Sequence, residues 1–261
     1  MNPELEKVKK IIEKSGHNLN FEVANILRKN NWAVEIGQYY VDDLTDKPRE
    51  IDIIASKIIP FWSTPDEMLN TDIPNQCEAF LFIECKYLTQ PVVFWMDKRN
   101  ETKTKNALKM VGLHDNQIIT SMMNVSGPQF HYLKSENVGK LVQSENSKDI
   151  FDTVTTPVKS LIFNRDQVKK RGIYFPVVVC DGSGHLFTQD SEQKDYIILD
   201  TNYSYRGLDG RIKGPETFYI DFVFKNQFEK FLGVIENADM LIIRSIESDI
   251  YKMKFLRSLT S

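Results

Sequence analysis

Two stretches decide the reading: Arg49-Glu50-Ile51-Asp52-Ile53-Ile54-Ala55-Ser56 and Glu78-Ala79-Phe80-Leu81-Phe82-Ile83-Glu84-Cys85-Lys86-Tyr87. Both are rich in the β-branched and aromatic residues that suit strands. Side chains alternate across a strand, so Phe80, Phe82, Glu84 and Lys86 share one face and Leu81, Ile83 and Cys85 the other. Glu84 and Lys86 then stand roughly 7 Å apart, at a rise of about 3.3 Å per residue. In the first stretch Ile51, Ile53 and Ala55 fall on one face, and Asp52 and Ile54 on the other. Each strand therefore sets an acid at an otherwise apolar position. Burying a carboxylate is costly unless a cation or hydrogen bonds compensate. Lys86 is one such cation, and a metal ion would be another. If the strands pair in register, Asp52 and Glu84 converge on an oxygen-rich pocket of the kind hard divalent cations such as Mg²⁺ use. Such an ion polarises a phosphoryl oxygen and generates hydroxide from water. Lys86 can hold that water or neutralise charge developing on a phosphate. Read structurally, the same residues are a Glu–Lys pair and a strand-end Asp.

Outward from these strands, Leu5, Val8, Ile11 and Ile12 have helical spacing, stopped by Ser15-Gly16. A second helix is expected from Asn18 to Asn30, with Phe21, Ala24 and Leu27 on one side. Trp32–Val41 reads as a strand and Asp42–Pro48 as a turn. Pro60, Pro65 and Pro74 make Ile58–Gln76 a loop insertion. Downstream, Asp97–Met110 reads as a basic helix and Ser144–Arg171 as a helix that Pro157 kinks or divides. Strands are expected at Ile173–Cys180, Tyr196–Leu199, Phe218–Phe224 and Met240–Ile246. Asn226 reads as the cap of a helix running to Glu236. No linker stands out, so residues 1–261 read as one α/β domain.

The pattern Glu50-Ile51-Asp52-Ile53-Ile54 followed by Phe82-Ile83-Glu84-Cys85-Lys86 resembles the PD-(D/E)XK motif of the restriction-endonuclease-like superfamily. Asp52 matches the motif's Asp, and Glu84-Cys85-Lys86 its (D/E)XK element. Glu22, on the preceding helix, resembles the extra acid that many members place there. Residue 51 is Ile where the motif has Pro, and the long interval from Asp52 to Glu84 reflects the loop insertion. The resemblance covers residues 18–86. It implies a restriction-endonuclease-like core (α-β-β-β-α-β) with a central mixed sheet, which residues 144–261 complete or extend. It also implies a Mg²⁺-dependent nuclease, with Mn²⁺ as a substitute, in which Asp52, Glu84 and Lys86 are catalytic and Glu22, Asp52 and Glu84 hold the metal. The implied substrate is DNA, in restriction, defence or repair. The alternatives are a nuclease of RNA or single strands, or a module of this fold that binds nucleic acid without cutting it.

Composition sets limits on partners. The chain has 261 residues, 41% of them hydrophobic, and a net charge of −3; mean hydropathy is −0.35. No apolar run approaches the roughly 18 residues that span a bilayer, and Met1–Lys14 has no apolar signal segment, so a cytoplasmic protein without a membrane partner is expected. Cys77, Cys85 and Cys180 form no disulfide framework, and His17, His114, His131 and His185 have no metal-ligand spacing. An acidic chain that grips a polyanion must concentrate its positive charge. Lys98, Arg99, Lys103 and Lys105 are the nearest candidates after the active strand, followed by Arg206, Arg211 and Lys213. A homodimer or a partner subunit is compatible with all of this.

Overall fold

The computed structural model describes residues 4–8, 17–61, 75–113, 130–168 and 172–244. Helix α1 (His17–Lys29) leads into three long strands, β1 (Ala33–Val41), β2 (Pro48–Phe61) and β3 (Asn75–Leu88). Next come β4 (Val92–Lys98), α2 (Glu101–Met110), the short α3 (His131–Lys134), β5 (Asn137–Gln143) and α4 (Ser147–Phe163). The chain continues through β6 (Gly172–Gly182), β7 (Leu186–Thr188), β8 (Gln193–Lys194), β9 (Tyr196–Arg206), β10 (Ile212–Phe224) and α5 (Phe228–Val234). This is an α/β fold with a large mixed sheet. All ten strands join that sheet in the order β1-β2-β3-β6-β10-β9-β5-β4-β7-β8.

β1, β2 and β3 form an antiparallel meander. β6 lies parallel to β3, with Glu84 opposite Val178 and Lys86 opposite Cys180. A parallel neighbour needs a crossover, and α4 lies on that crossover, packed on β3 and β6. The sheet is covered on both faces. On one, Leu19, Val23, Ala24 and Leu27 of α1 meet Ala79, Leu81 and Ile83 of β3 and Phe175 and Val177 of β6. On the other, Ile150, Val154, Val158 and Leu161 of α4 meet Phe80 and Phe82 of β3 and Tyr174 and Val178 of β6. β6 is buried on both sides, which explains why Ile173–Cys180 is apolar without alternation.

The alternation expected of β3 holds, but that of β2 does not. Ile53 and Ala55 pack on the α1 side, whereas Ile51 packs on the α4 side. Two residues apart on a regular strand share a face, so β2 turns over at Asp52. Opposite it, between the paired positions Ile36↔Ile53 and Gln38↔Ile51, lies Gly37 of β1, which has φ +67°. Glycine is the residue that adopts this left-handed backbone without strain, and the local twist carries Asp52 out of the face that alternation assigns it.

Other boundaries also moved. Asp97–Met110 is not one helix. Val92 and Phe94 are buried in alternation, so β4 runs through Lys98, and Asn100 then caps α2 by accepting the Lys103 N–H at 3.0 Å. Ser144–Arg171 is helical over Ser147–Phe163 with a wider turn at Asn164–Val168, and the buried Pro157 sits inside α4 without dividing it. The loop insertion is shorter than expected, because β2 extends to Phe61 and β3 starts at Asn75; residues 62–74 lie outside the described residues. Asn226 is no cap: it lies in the turn Lys225–Gln227 that precedes α5. The strand expected at Met240–Ile246 is helical over its described part, residues 240–244. Met240 and Ile243 are buried at a spacing of three, so they fit a helix face as well as a strand. Of the first expected helix only residues 4–8 are described, and they are helical.

Candidate active site

The paired register of β2 and β3 ends at Ile53↔Ile83. The next residues outward are Asp52 and Glu84, so both acids stand where the two strands part. Beyond that point β2 keeps β1 as its partner and β3 keeps β6. Where the two strands part, backbone N–H groups released from the ladder need other partners. One of them, the Cys85 N–H, donates to Asp52 Oδ2 at 2.8 Å.

Asp52 Oδ1 accepts a second hydrogen bond, from Asn20 Nδ2 at 2.8 Å. Asn20 is 6% exposed and lies on α1 three, four and seven residues before Val23, Ala24 and Leu27. It was absent from the expected site. Its signal in the sequence was a lone amide on the apolar stripe of an amphipathic helix. Burial raises the Asp52 pKa, and the two hydrogen bonds pull it back; Glu50 pushes it up and His17 draws it down.

Glu84 is harder to ionise. Its pKa rises from 4.5 to about 8, through burial first and then the charge of Asp52, with Asp152 and Glu50 adding smaller pushes and Lys86 opposing them. Burial, with the Asp52 charge second, therefore favours the protonated form of Glu84. Lys86 follows on the same face of β3, with its Nζ 3.7 Å from Asp149 of α4. Asp149 and Asp152 lie one turn apart on α4, so that helix directs one acid at Lys86 and another at Glu84. Burial lifts the Cys85 thiol well above its ordinary range, which leaves it protonated and a poor nucleophile at neutral pH.

Glu22 sits apart from this pair. Its carboxylate is 2.7 Å from Lys225 Nζ, which is also 2.6 Å from Asp181 at the end of β6. The helix residue that touches Asp52 is Asn20. Among the described residues, no group of three or more His, Cys, Asp or Glu side chains is set to hold a metal ion.

The basic candidates are dispersed. Arg99 donates to the Ser135 carbonyl at 3.0 Å and to Thr104 Oγ1 at 3.2 Å, and so fastens α2 to its neighbours. Lys103 lies 3.5 Å from the buried Asp200. Lys98 is exposed and Lys105 half-buried. Of the later group, Arg206 pairs with Asp46 and Lys213 with Asp209. Tyr205 is buried under the Arg165 guanidinium, 5.3 Å from its ring centre. Among the described residues no helix is long and apolar enough to cross a membrane. Comparison of the chain with models of protein families, with curated proteins and with solved structures finds no match.

Proposed function

We propose that this chain is a Mg²⁺-dependent nuclease with Asp52, Glu84 and Lys86 at its centre, acting on DNA. The observation that carries the reading is the placement of two carboxyl groups, one on each strand, at the point where β2 and β3 part. Asp52 and Glu84 both stand at the parting of β2 and β3, where burial first and the charge of Asp52 second raise the Glu84 pKa to about 8. A stability-driven arrangement would place a hydrophobic residue or a second cation there. With β4, α2, α3 and β5 taken as an insertion between β3 and α4, the order α1-β1-β2-β3-α4-β6, with β6 parallel to β3, supports a restriction-endonuclease-like core.

The donor set fits Mg²⁺, which is commonly bound through one or two carboxylates with its remaining positions left to water. Asp52 and Glu84 would hold the ion, and Glu22, which is paired with Lys225, would act from outside this pair. When bound, the ion supplies an activated water and an electrophile for the phosphate. Asn20 and the Cys85 N–H fix the Asp52 carboxylate, and preorganisation of this kind lowers the cost of reaching the reactive geometry. Lys86 offers its ammonium to the phosphate oxygens, where it stabilises the charge that grows there. Asp149 keeps that ammonium in place until the phosphate arrives.

Asp52→Asn and Lys86→Ala should each lower cleavage of DNA by at least about a hundredfold, the scale of losing one electrostatic group from a preorganised site. EDTA should stop the wild type, and Mn²⁺ should substitute for Mg²⁺. The assay is metal-dependent hydrolysis of plasmid, linear, single-stranded and RNA substrates, with circular dichroism to check folding. Near-wild-type cleavage by either folded variant, or full activity in EDTA, contradicts the assignment. Glu22→Gln should weaken Mg²⁺ binding less than Asp52→Asn does.

For substrate grip, the structure shifts weight within the basic segment, because Arg99 and Lys103 already have structural partners. Lys98→Ala with Lys105→Ala should weaken DNA binding alike on unrelated sequences. It should also flatten the slope of log affinity against log salt by roughly one to two units, at about 0.9 per phosphate contact on duplex DNA. An unchanged slope, measured by titration at several salt concentrations, assigns these lysines to the solvated surface.

A further inference from the structure

A cavity of about 310 Å³ opens directly beside Lys86, between the end of β3 and the start of α4. We propose that it receives one unpaired nucleobase next to the scissile phosphate, so that the strand is single-stranded or locally unpaired where it is cut. This rests on the nuclease reading of the same site and narrows its substrate.

Position comes first. Lys86 lines the cavity, so an occupant lies next to the group assigned to the phosphate. Size comes next. The volume falls at the low end of the roughly 300–1,000 Å³ of small-molecule sites, which gives room for a single base with its sugar and none for a stacked base pair.

The lining chemistry selects a base over a phosphate. Leu88, Val92 and Ile150 are each nearly fully buried and still line the cavity, which gives it an apolar floor for the face of a ring. Glu145 and Asp149 stand in the walls. Their negative charge repels a phosphate, and carboxylates accept from the exocyclic amino groups of bases. Gln90 and Asn146 add amides. Asn146 spends its Oδ1 on the Asp149 N–H at α4's start, and among the described residues nothing takes its Nδ2 donors. Amide side chains of Asn and Gln read the edge of adenine. A base inside a duplex has its pairing edge occupied and its faces stacked. To reach this cavity it must be extruded from the stack, and the cost of that is least for a base already unpaired.

The test uses the full chain with Mg²⁺ on a labelled 20-nucleotide single strand, its blunt duplex, and a set of single strands with one abasic site walked along them. The single strand should be cut at least about tenfold faster than the duplex. One abasic position beside the cut should slow cleavage by a similar factor. Thr89→Trp, at an exposed position on the cavity wall, should close the pocket and reproduce that loss while circular dichroism stays unchanged. Strands rich in C or A should outrun oligo(dT), which lacks an amino donor. A duplex cut as fast as the single strand, or an abasic scan with no sensitive position, overturns the base pocket and leaves the nuclease reading intact. Absence of metal-dependent cleavage on every substrate, or cleavage that survives Lys86→Ala, overturns the nuclease reading and this inference with it.

Discussion

Glu84→Gln should silence metal-dependent cleavage and at the same time make the metal-free protein more stable. The two effects share one cause. Glu84 is mostly buried, stands beside the charge of Asp52, and has its pKa raised to about 8 in the folded chain. An acid whose folded pKa exceeds its unfolded value holds a proton that the unfolded chain has released. Stability therefore falls as pH rises from about 4.5 to about 8, and the deficit stays constant above that. A neutral amide of the same shape removes the deficit. After discounting for the partial solvent access of the side chain, the gain should be about 1–3 kcal/mol near pH 8, and close to zero near pH 4. Thermal melts of both proteins at pH 4.5, 6, 7 and 8 read this directly. Mg²⁺ should then raise the Tm of the wild type and leave that of the variant nearly unmoved, since ligand that binds only the folded state stabilises it. Below pH 8 the wild type must also release the Glu84 proton to bind the ion, so its metal affinity should climb with pH and level off above about 8. A variant that loses stability at pH 8 would instead identify Glu84 and Lys86 as a structural ion pair.

His131→Ala should cost about 3–5 kcal/mol, the scale of breaking a buried ion pair from one side. At this chain length that lowers Tm by roughly 6–20 °C. His131 is 5% exposed, and its ring lies between two buried acids: Nδ1 bonds Asp239, and Nε2 is 3.2 Å from both oxygens of Asp221. Tyr132 and Tyr196 also donate to Asp221, at 3.1 and 2.7 Å, and the backbone N–H of His131 donates to Asp239 at 2.8 Å. Burial disfavours the imidazolium, but Asp239 and Asp221 outweigh it and raise its pKa to about 10. A histidine with a raised folded pKa contributes stability that is complete below about 6.5 and is lost as pH rises to about 10. The wild type should therefore lose stability over that alkaline window. The variant should lack this loss, and should recover part of its own deficit in acid, where the stranded carboxylates accept protons. Denaturant unfolding at pH 5, 7 and 9.5 separates the two. A variant within 1 kcal/mol of wild type at pH 7 would mean that the acids find other partners.

Much of the site was legible in residues 49–87. The apolar runs of β2 and β3 each carried a misplaced acid, and the period of two put Glu84 and Lys86 on one face with Phe80 and Phe82. Local sequence determined these features because strand alternation is a property of the backbone itself. It also determined α1 and β6, and that the chain mixes helix and strand. The tertiary structure decided what depends on residues far apart. Gly37, on a neighbouring strand, lies opposite Asp52 where β2 turns over, a point at which β2's own alternation is silent. Asn20 became a partner of Asp52 because α1 packs over the strand ends. Glu22, one helical step away, faces Lys225, which arrives from more than two hundred residues downstream. α4 brought Asp149 and Asp152 to the acid–lysine pair, and the buried His131 found Asp221 and Asp239 about a hundred residues on. Along a regular strand such as β3 the sequence alone assigns the apolar faces, because burial follows local periodicity. Which charges meet across the folded chain is set by packing, because the Coulomb energy depends on distances that only the assembled sheet and its helices define.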